Sequence, residues 1–492
     1  MKNILAIDIG TTSVKALIMT EEGKVAAEAS AGHSLYSPMP GWAEECPEQW
    51  VDGVTRTVHE LKEKAAEAFD DVAVIGVCGM VPAIVLLGED GNVLRNSIQQ
   101  NDARCTEQIE RLKENIHQQW LFERTGGFTN QQHILPRLLW VKENEPAIWN
   151  KVRRIMGSYD YINYLLTGGY SLEKNWAVES GAWDIHKNRW IDEMLDPYGI
   201  LKEWLPAVHE PGEVIGTTCT EISRTMGLPA GIPVIAGSAD HVAATLACGI
   251  VDEGDLLIKF GGAGDILYCT EDIAPDERLF FDIHDISGKY LLNGCMAASG
   301  SLLRWYVNGI LGSIADYAEL DAEAEAISAG SDGLVVLPYF LGEKTPIFDP
   351  EARGVFFGLT LTHTRAHMYR AILESVIFGF RHHLDVLREK GLEPARIFAA
   401  DGGAKSPLWC QIAADILGRP VYAFQDGTGS AFGTALLAGH SVGIIKDWTG
   451  IKALLPEPAE YKPEPENIEA YNKQYAVYGK LYENTKALMH CL

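Results

Sequence analysis

The run "NILAIDIGTTSVKALI" at residues 3–18 returns in outline as "DLLIKFGGAGDILYC" at residues 255–269. Each is an apolar stretch, a turn of small residues and a second apolar stretch, the signature of two strands joined around a glycine turn. The spacing is far too long for a solenoid repeat, so duplication of a whole domain accounts for it better. A chain of 492 residues is also long for a single core. Two related α/β halves are expected, with ligands bound between them. The boundary falls in the small-residue segment near residues 243–251, giving an N-terminal domain at 1–245 and a C-terminal domain at 246–455. The Pro-rich "LPEPAEYKPEPEN" reads as a linker to a last helix over about 468–488, within a tail at 456–492.

Between the two glycine turns the pattern is mixed. Apolar residues Trp50, Val51, Val54, Val58, Leu61 and Ala65 recur at helical spacing, predicting a helix over 47–68. "VAVIGVCG" is a buried strand, residues 106–204 are mostly helical in pattern, and strand returns at Val234.

Composition removes several classes of function. A formal net charge of −26 makes a phosphate backbone an unfavourable partner, so no nucleic acid is expected. The nine cysteines are scattered singly, without a CxxC pair, and read as reduced thiols. The apolar run at the N-terminus meets Asp8 too early for a signal peptide, and no apolar stretch is long enough to span a bilayer. A cytoplasmic protein with no membrane partner is the expectation.

Three glycine turns and one acid carry the candidate chemistry. In Asp8-Ile9-Gly10-Thr11-Thr12-Ser13-Val14-Lys15, Gly10 permits close backbone approach and the Thr hydroxyls can donate to phosphate oxygens. Asp8, at the strand end, could hold Mg²⁺ directly or through water. An ordinary hairpin turn is the plain alternative. Lys259-Phe260-Gly261-Gly262-Ala263-Gly264 repeats the arrangement, and Asp401-Gly402-Gly403-Ala404 ends a strand with room for a flat ring. Neither a Walker A loop nor a G-x-G-x-x-G fingerprint occurs. In "PVIAGSADHVAATLACG", Asp240 is delivered by a short strand to the start of a small-residue helix. Taken alone it reads first as an N-cap.

The order and spacing of these segments resemble the FGGY family of carbohydrate kinases, and its xylulokinase-like members, over essentially the whole chain. "AIDIGTTSVKALI" is similar to the first phosphate motif, "AGSADHVAATLACGIV" to the catalytic-Asp segment, "IKFGGAGD" to the second phosphate motif and "FAADGGAKSPLW" to the adenosine motif. "GWAEECPEQW", "LPYFLGEKTPIFDPEARGVFFGLT" and "HMYRAILESVIFGF" match as well. The resemblance implies two duplicated actin-like ATPase domains of ribonuclease H-like fold flanking a ligand cleft, ATP and Mg²⁺ as cofactors and a small-molecule sugar as substrate. It is compatible with a homodimer. Residue by residue it implies Asp240 as general base, Asp8 at the metal, and Gly10, Thr11, Thr12, Lys15, Gly261, Gly262, Gly300, Gly402, Gly403 and Ala404 around the nucleotide. Met80, Gln100, Asp102 and Asp240 fall on the sugar side.

Two departures stand out. The second phosphate motif usually reads Gly-Thr-Ser or Gly-Thr-Ala, whereas Gly262 removes a hydroxyl here. Xylulokinases carry Gln-Met-His where this chain has Met80, Val81 and Pro82, and Gln100 replaces the usual Trp. Either the pocket prefers a ketose other than xylulose, or polar contacts come from Glu44, Gln99, Gln100 or His241. A pentulose kinase is the leading expectation. A kinase for a different polyol or sugar acid, a silent sugar-binding relative and a partner-remodelling ATPase of the same fold are the alternatives.

Overall fold

The computed structural model describes residues 2–313, 316–425 and 429–492. The chain divides into two compact units, one built from residues 1–251, 281–290 and 429–455, the other from 252–280, 291–428 and 456–492.

In the first unit the central sheet runs in the order Val214–Thr217, Pro233–Ile235, Val72–Gly79, Asn3–Ile9, Ser13–Met19, Val25–Gly32. Asn3–Ile9 is buried along its full length and pairs parallel with Val72–Gly79 and antiparallel with Ser13–Met19. Its apolar residues Ile4, Leu5, Ala6, Ile7 and Ile9 form the near-continuous run expected of a strand covered on both faces, interrupted only by Asp8. The sheet of the second unit includes the order Tyr290–Met296, Gly264–Thr270, Asp255–Phe260, Arg396–Ala400, Val421–Ala423, Ala459–Tyr461. Asp255–Phe260 is again antiparallel to its hairpin partner and parallel to the next strand inward, and the last pair is antiparallel, as Val214–Thr217 and Pro233–Ile235 are. The repeated glycine turns therefore sit at equivalent positions in two sheets of the same order.

The units are not continuous stretches of chain. Residues 429–455 lie in the first unit, whereas the sequence boundaries put them in the C-terminal domain. Helix Ser430–Ser441 is apolar almost all round, and Ala431 to Gly439 are buried. Such a helix needs cover on several sides. It finds it on Ile4, Ala6, Val74, Leu246 and Ala247 of the first unit's core. Two local expectations also shift. The predicted helix over 47–68 is broken at Ala65 (φ −146°, ψ 60°) into Pro47–Lys64 and Ala66–Asp70. Within the Pro-rich stretch, Ala459–Tyr461 forms an edge strand on Val421–Ala423, a place where neighbouring prolines leave no ladder donor missing. The last helix then starts with Pro465 in its first turn and runs to Met489.

The contact between helix Ser430–Ser441 and helix Asp240–Ala247 is made at backbone distance. A Cβ on Gly433 would lie 1.8 Å from the Ala243 carbonyl oxygen and 3.1 Å from the Ala247 nitrogen. Backbone atoms cannot swing aside as a side chain can, so Gly433→Ala must push the helices apart. We expect a loss of about 3 kcal/mol, the upper range for overpacking. Gly479→Ala, in the helix Pro465–Met489 where nothing lies within 4 Å of the added Cβ, should gain up to about 1 kcal/mol from helix propensity. Thermal denaturation of the two variants checks this, and equal melting temperatures would refute the close-approach argument.

Candidate active site

In the first unit, Asp8 sits one residue from the end of its strand, opposite Lys15 on one side and Cys78 on the other. Its Oδ2 accepts a hydrogen bond from the Ser430 hydroxyl at 2.7 Å, and the Cys78 thiol lies 3.7 Å from Oδ1. Burial, reinforced by the nearby Asp240 carboxylate, pushes Asp8 up to about 6, with Ser430, Lys15 and Cys78 pulling the other way. The hairpin turn beyond it is closed by the Gly10 N–H donating to the Ser13 carbonyl at 3.1 Å. The Gly10 carbonyl in turn accepts from His33 Nε2 at 2.8 Å. Burial holds His33 below its ordinary value, so it is a neutral donor. Thr12 and Lys15 are exposed and Thr11 and Gly10 are half-buried.

Asp240 is the first residue of its helix, and Ala239 occupies the cap position with no side-chain cap bond. The N-cap reading is therefore corrected by one residue. The Asp240 carboxylate instead turns back on its own chain, with Oδ1 accepting from the His241 N–H at 2.7 Å. The His241 ring stands between two carboxylates, with Nδ1 3.5 Å from Asp240 Oδ1 and Nε2 3.1 Å from Asp282 Oδ2. Burial alone would drive His241 down, but Asp282 and Asp240 together raise it well above its usual range. Behind them, burial and Asp282 push Glu179 up to about 8.

The sugar-side candidates divide. Met80 is 1% exposed, its N–H donating to the Ile9 carbonyl and its carbonyl accepting from the Ser158 hydroxyl. Asp102 is fully buried, and its oxygens accept from the Ala43 N–H at 2.6 Å and from Arg104. Arg104 also binds Glu44 and stacks 3.9 Å from the Trp42 ring centroid. Gln100 is half-buried and its carbonyl accepts from Arg137 at 2.9 Å. Met80 and Asp102 thus hold backbone and Arg104 in place, while the Gln100 side chain keeps its amide available.

In the second unit the glycine turns play different parts. The Gly261 carbonyl accepts from Gly300 N–H at 2.8 Å, and the Gly262 carbonyl from Ser299 and Ser301, so this turn caps helix Gly300–Trp305. A Cβ on Gly300 would come within 2.7 Å of the Gly261 oxygen, which is why a glycine stands there. Gly262 and Gly402 face open space, with nothing within 4 Å of an added Cβ. Gly403 is pressed against Phe260 and Trp409, whose rings stack at 4.8 Å, and Ala404 is buried. Asp401 introduces the adenosine-like turn at a positive φ of 74°, a conformation that costs a non-glycine residue.

Sequence reasoning reached Asp8, Asp240 and the glycine turns but did not pair Asp8 with Ser430, His33 with Gly10, or His241 with Asp282 and Glu179. The one signal for the last group was the acid-rich "FDIHD" at 281–285, whose residues have no local motif.

Two α/β units, each opening on a strand–glycine turn–strand hairpin in a sheet of the same order, define the actin-like ATPase class. The chain belongs to the FGGY family of carbohydrate kinases, whose N-terminal domain matches residues 3–247 and whose C-terminal domain matches residues 281–442. It is therefore a sugar kinase, an enzyme that uses ATP as phosphoryl donor. It is 30% identical to the xylulose kinase of Lactococcus lactis subsp. lactis (strain IL1403) across 100% of this chain and 99% of the relative. The crystal structure of xylulose kinase from Rhodospirillum rubrum superposes with a TM-score of 0.94 at 41% identity, covering 99% of this chain and 100% of that one. The gluconokinase of Bacillus subtilis (strain 168) is 27% identical over 99% of this chain and 96% of its own. Among the described residues, no helix is long and apolar enough to cross a membrane.

The raised Asp8 gives a pH signature. A carboxylic acid with a folded value above its unfolded 3.8 favours the fold while protonated, so its penalty grows as pH rises from about 4 through about 6 and is complete above that. Asp8→Asn removes the charge and keeps an acceptor for Ser430. It should be more stable than wild type by on the order of 2 kcal/mol at pH 7.5, with the difference closing toward pH 4. Denaturant midpoints at the two pH values test this; a pH-independent difference would contradict the burial argument.

Proposed function

We propose that this kinase transfers the γ-phosphoryl group of ATP to a primary hydroxyl of a ketose, a pentulose such as xylulose or a close relative, with Asp240 as general base. The observation that carries the reading is the electrostatic reach of Asp240, the first residue of its helix, to Asp8 near the end of strand Asn3–Ile9, which burial and this second acid raise to about 6. A sugar hydroxyl is a poor nucleophile. As its oxygen attacks the γ-phosphorus, its proton passes to Asp240 and the bond from γ-phosphorus to the bridging oxygen breaks, leaving ADP and a sugar phosphate.

Asp8 fits a hard divalent cation. It is a buried oxygen donor close enough to a second carboxylate, Asp240, to be raised by it. Mg²⁺ bound there would neutralise phosphate charge. Gly10, its carbonyl pinned by His33, keeps the first turn rigid for phosphate oxygens, with Thr11, Thr12 and Lys15 as donors. The open faces of Gly262 and Gly402 leave room for phosphate and adenine, and Gly261, Gly300, Gly403 and Ala404 shape the turns behind them. Asp102 contributes to the sugar side by fixing Arg104.

A second reading concerns the sugar. Met80 is buried and its side chain offers no hydrogen-bonding group, and Val81 and Pro82 add no side-chain donor or acceptor. Recognition then depends on Gln100 and neighbouring polar groups, and a ketose other than xylulose is preferred. Missing hydrogen-bond partners can cost a polar substrate on the order of 10⁴-fold.

Asp240→Asn should fold, bind ATP and lose sugar-dependent ADP formation by about 10²- to 10⁴-fold. Near-normal turnover in that variant would sink the base assignment. A panel of ketoses, polyols and sugar acids, xylulose and gluconate among them, decides the substrate. Best turnover on xylulose rejects the altered-pocket reading, and best turnover on gluconate rejects the ketose. Gly262 has an ordinary φ and open surroundings, so Gly262→Thr should leave the melting temperature unchanged while lowering KM for ATP or raising kcat. Unchanged kinetics would remove Gly262 from the phosphate contacts.

A further inference from the structure

The imidazole of His241 is set between carboxylates contributed by two distant parts of the chain. Its Nε2 is 3.1 Å from Oδ2 of Asp282, a fully buried residue of strand Phe280–Ile283, and its Nδ1 is 3.5 Å from Asp240 Oδ1. One carboxylate oxygen each of Glu179 and Asp282 and one ring nitrogen of His241 lie within 4.8 Å of one another. A neutral imidazole has one N–H and could satisfy one of the two carboxylates; only the imidazolium donates to both. Asp240 Oδ1 thus accepts a hydrogen bond from the His241 backbone N–H and lies in ion-pair range of the ring of the same residue.

We infer that His241 is a positioning residue for Asp240, braced by Asp282 so that Oδ1 is fixed and Oδ2 receives the substrate proton. The inference rests on Asp240 being the base. A carboxylate free to rotate about its Cβ–Cγ bond presents either oxygen in many orientations, whereas one clamped on Oδ1 presents the other in one, which is the geometry that proton abstraction requires. The positive ring also offsets the repulsion between Asp240 and Asp8.

The groups around the ring agree on its charge. Asp240 and Asp282 face it directly. Burial and Asp282 push Glu179 up to about 8, so it stands neutral near pH 7, with Arg137 and His241 opposing that rise. Burial likewise raises Asp285 to about 8, while Ser238 and His241 lower it. Burial works against the imidazolium, and Asp282 with Asp240 overcomes it. A group raised in this way stays charged below its folded value and is neutralised as pH rises through it. Removing the Asp282 charge should therefore bring His241 down and make activity fail at lower pH on the alkaline side.

The experiment pairs NMR titration of the His241 ring in the full-length enzyme with kcat and KM profiles for wild type, Asp282→Asn and His241→Gln. Wild-type His241 should remain an imidazolium well above the ordinary imidazole range. In Asp282→Asn its midpoint should fall by at least about one unit, and the alkaline limb of kcat should fall with it, while KM for sugar and ATP stays within about threefold. His241→Gln should lower kcat by about 10- to 100-fold and lose that limb. Asp282 is fully buried and its variant could fail to fold; His241 has an 18% exposed side chain, and His241→Gln then carries the test. A wild-type ring that is neutral at pH 7, or a kcat profile that does not follow the ring's titration, overturns the inference. So does an inactive Asp240→Asn beside fully active His241→Gln. Turnover by Asp240→Asn would instead show that the base assignment itself has failed, and the positioning role with it.

Discussion

The first unit depends on one backbone-to-backbone contact, the seating of Gly433 against the carbonyl of Ala243. Because no side chain stands between them, helix Ser430–Ser441 lies close enough to serve two neighbours at once. Its buried flank closes the core over Ile4, Val74 and Leu246. Its first residue, Ser430, reaches Asp8 with a 2.7 Å hydrogen bond. Packing and chemistry are thereby tied together: displacement of this helix would loosen the helix that begins with Asp240 and take away the donor that steadies Asp8.

Burial acts on the acids of this unit in two opposite ways. Asp102 is buried but surrounded by Arg104 and the Ala43 N–H, a pairing that compensates for lost water. Asp8 is buried with less compensation, and its value rises to about 6. An under-compensated carboxylate at a strand end is costly to keep, and such groups concentrate where a protein binds charge. The same contrast separates His33, neutral and tied to the Gly10 carbonyl, from His241, held positive between two acids. One imidazole shapes a loop, and the other shapes a charge.

Local features of this architecture were legible in the sequence. Both glycine hairpins, the strand at 72–79 and the helix starting at Asp240 follow from apolar runs and turn residues, which are short-range signals. The N-cap reading of Asp240 missed by one residue because helix ends are set by backbone geometry that composition does not resolve. What could not be read was long-range. Ser430 is 422 positions from Asp8, and Asp282 is 41 from His241. No periodicity connects such pairs. Glycines were misleading in a different way: Gly262 and Gly402 are open, as a ligand-facing turn requires, but Gly300 and Gly403 are small because Gly261 and the Phe260–Trp409 stack leave no room. Sequence treats these four alike, and only the packing distinguishes them.

The interleaving of the units bears on the order in which the chain is made. Residues 281–290 and 429–455 belong to the first unit, so the polypeptide that carries Asp8 and Asp240 leaves the ribosome well before the segments that complete their surroundings. Folding from the N-terminus as each domain emerges, common for proteins of this size, is not open to a unit assembled from three separate stretches. Until residue 455 has been synthesised, the nascent first unit exposes the apolar surface that helix Ser430–Ser441 later covers. A growing chain of this kind has most need of chaperone protection late in translation, when most of its length is already outside the ribosome.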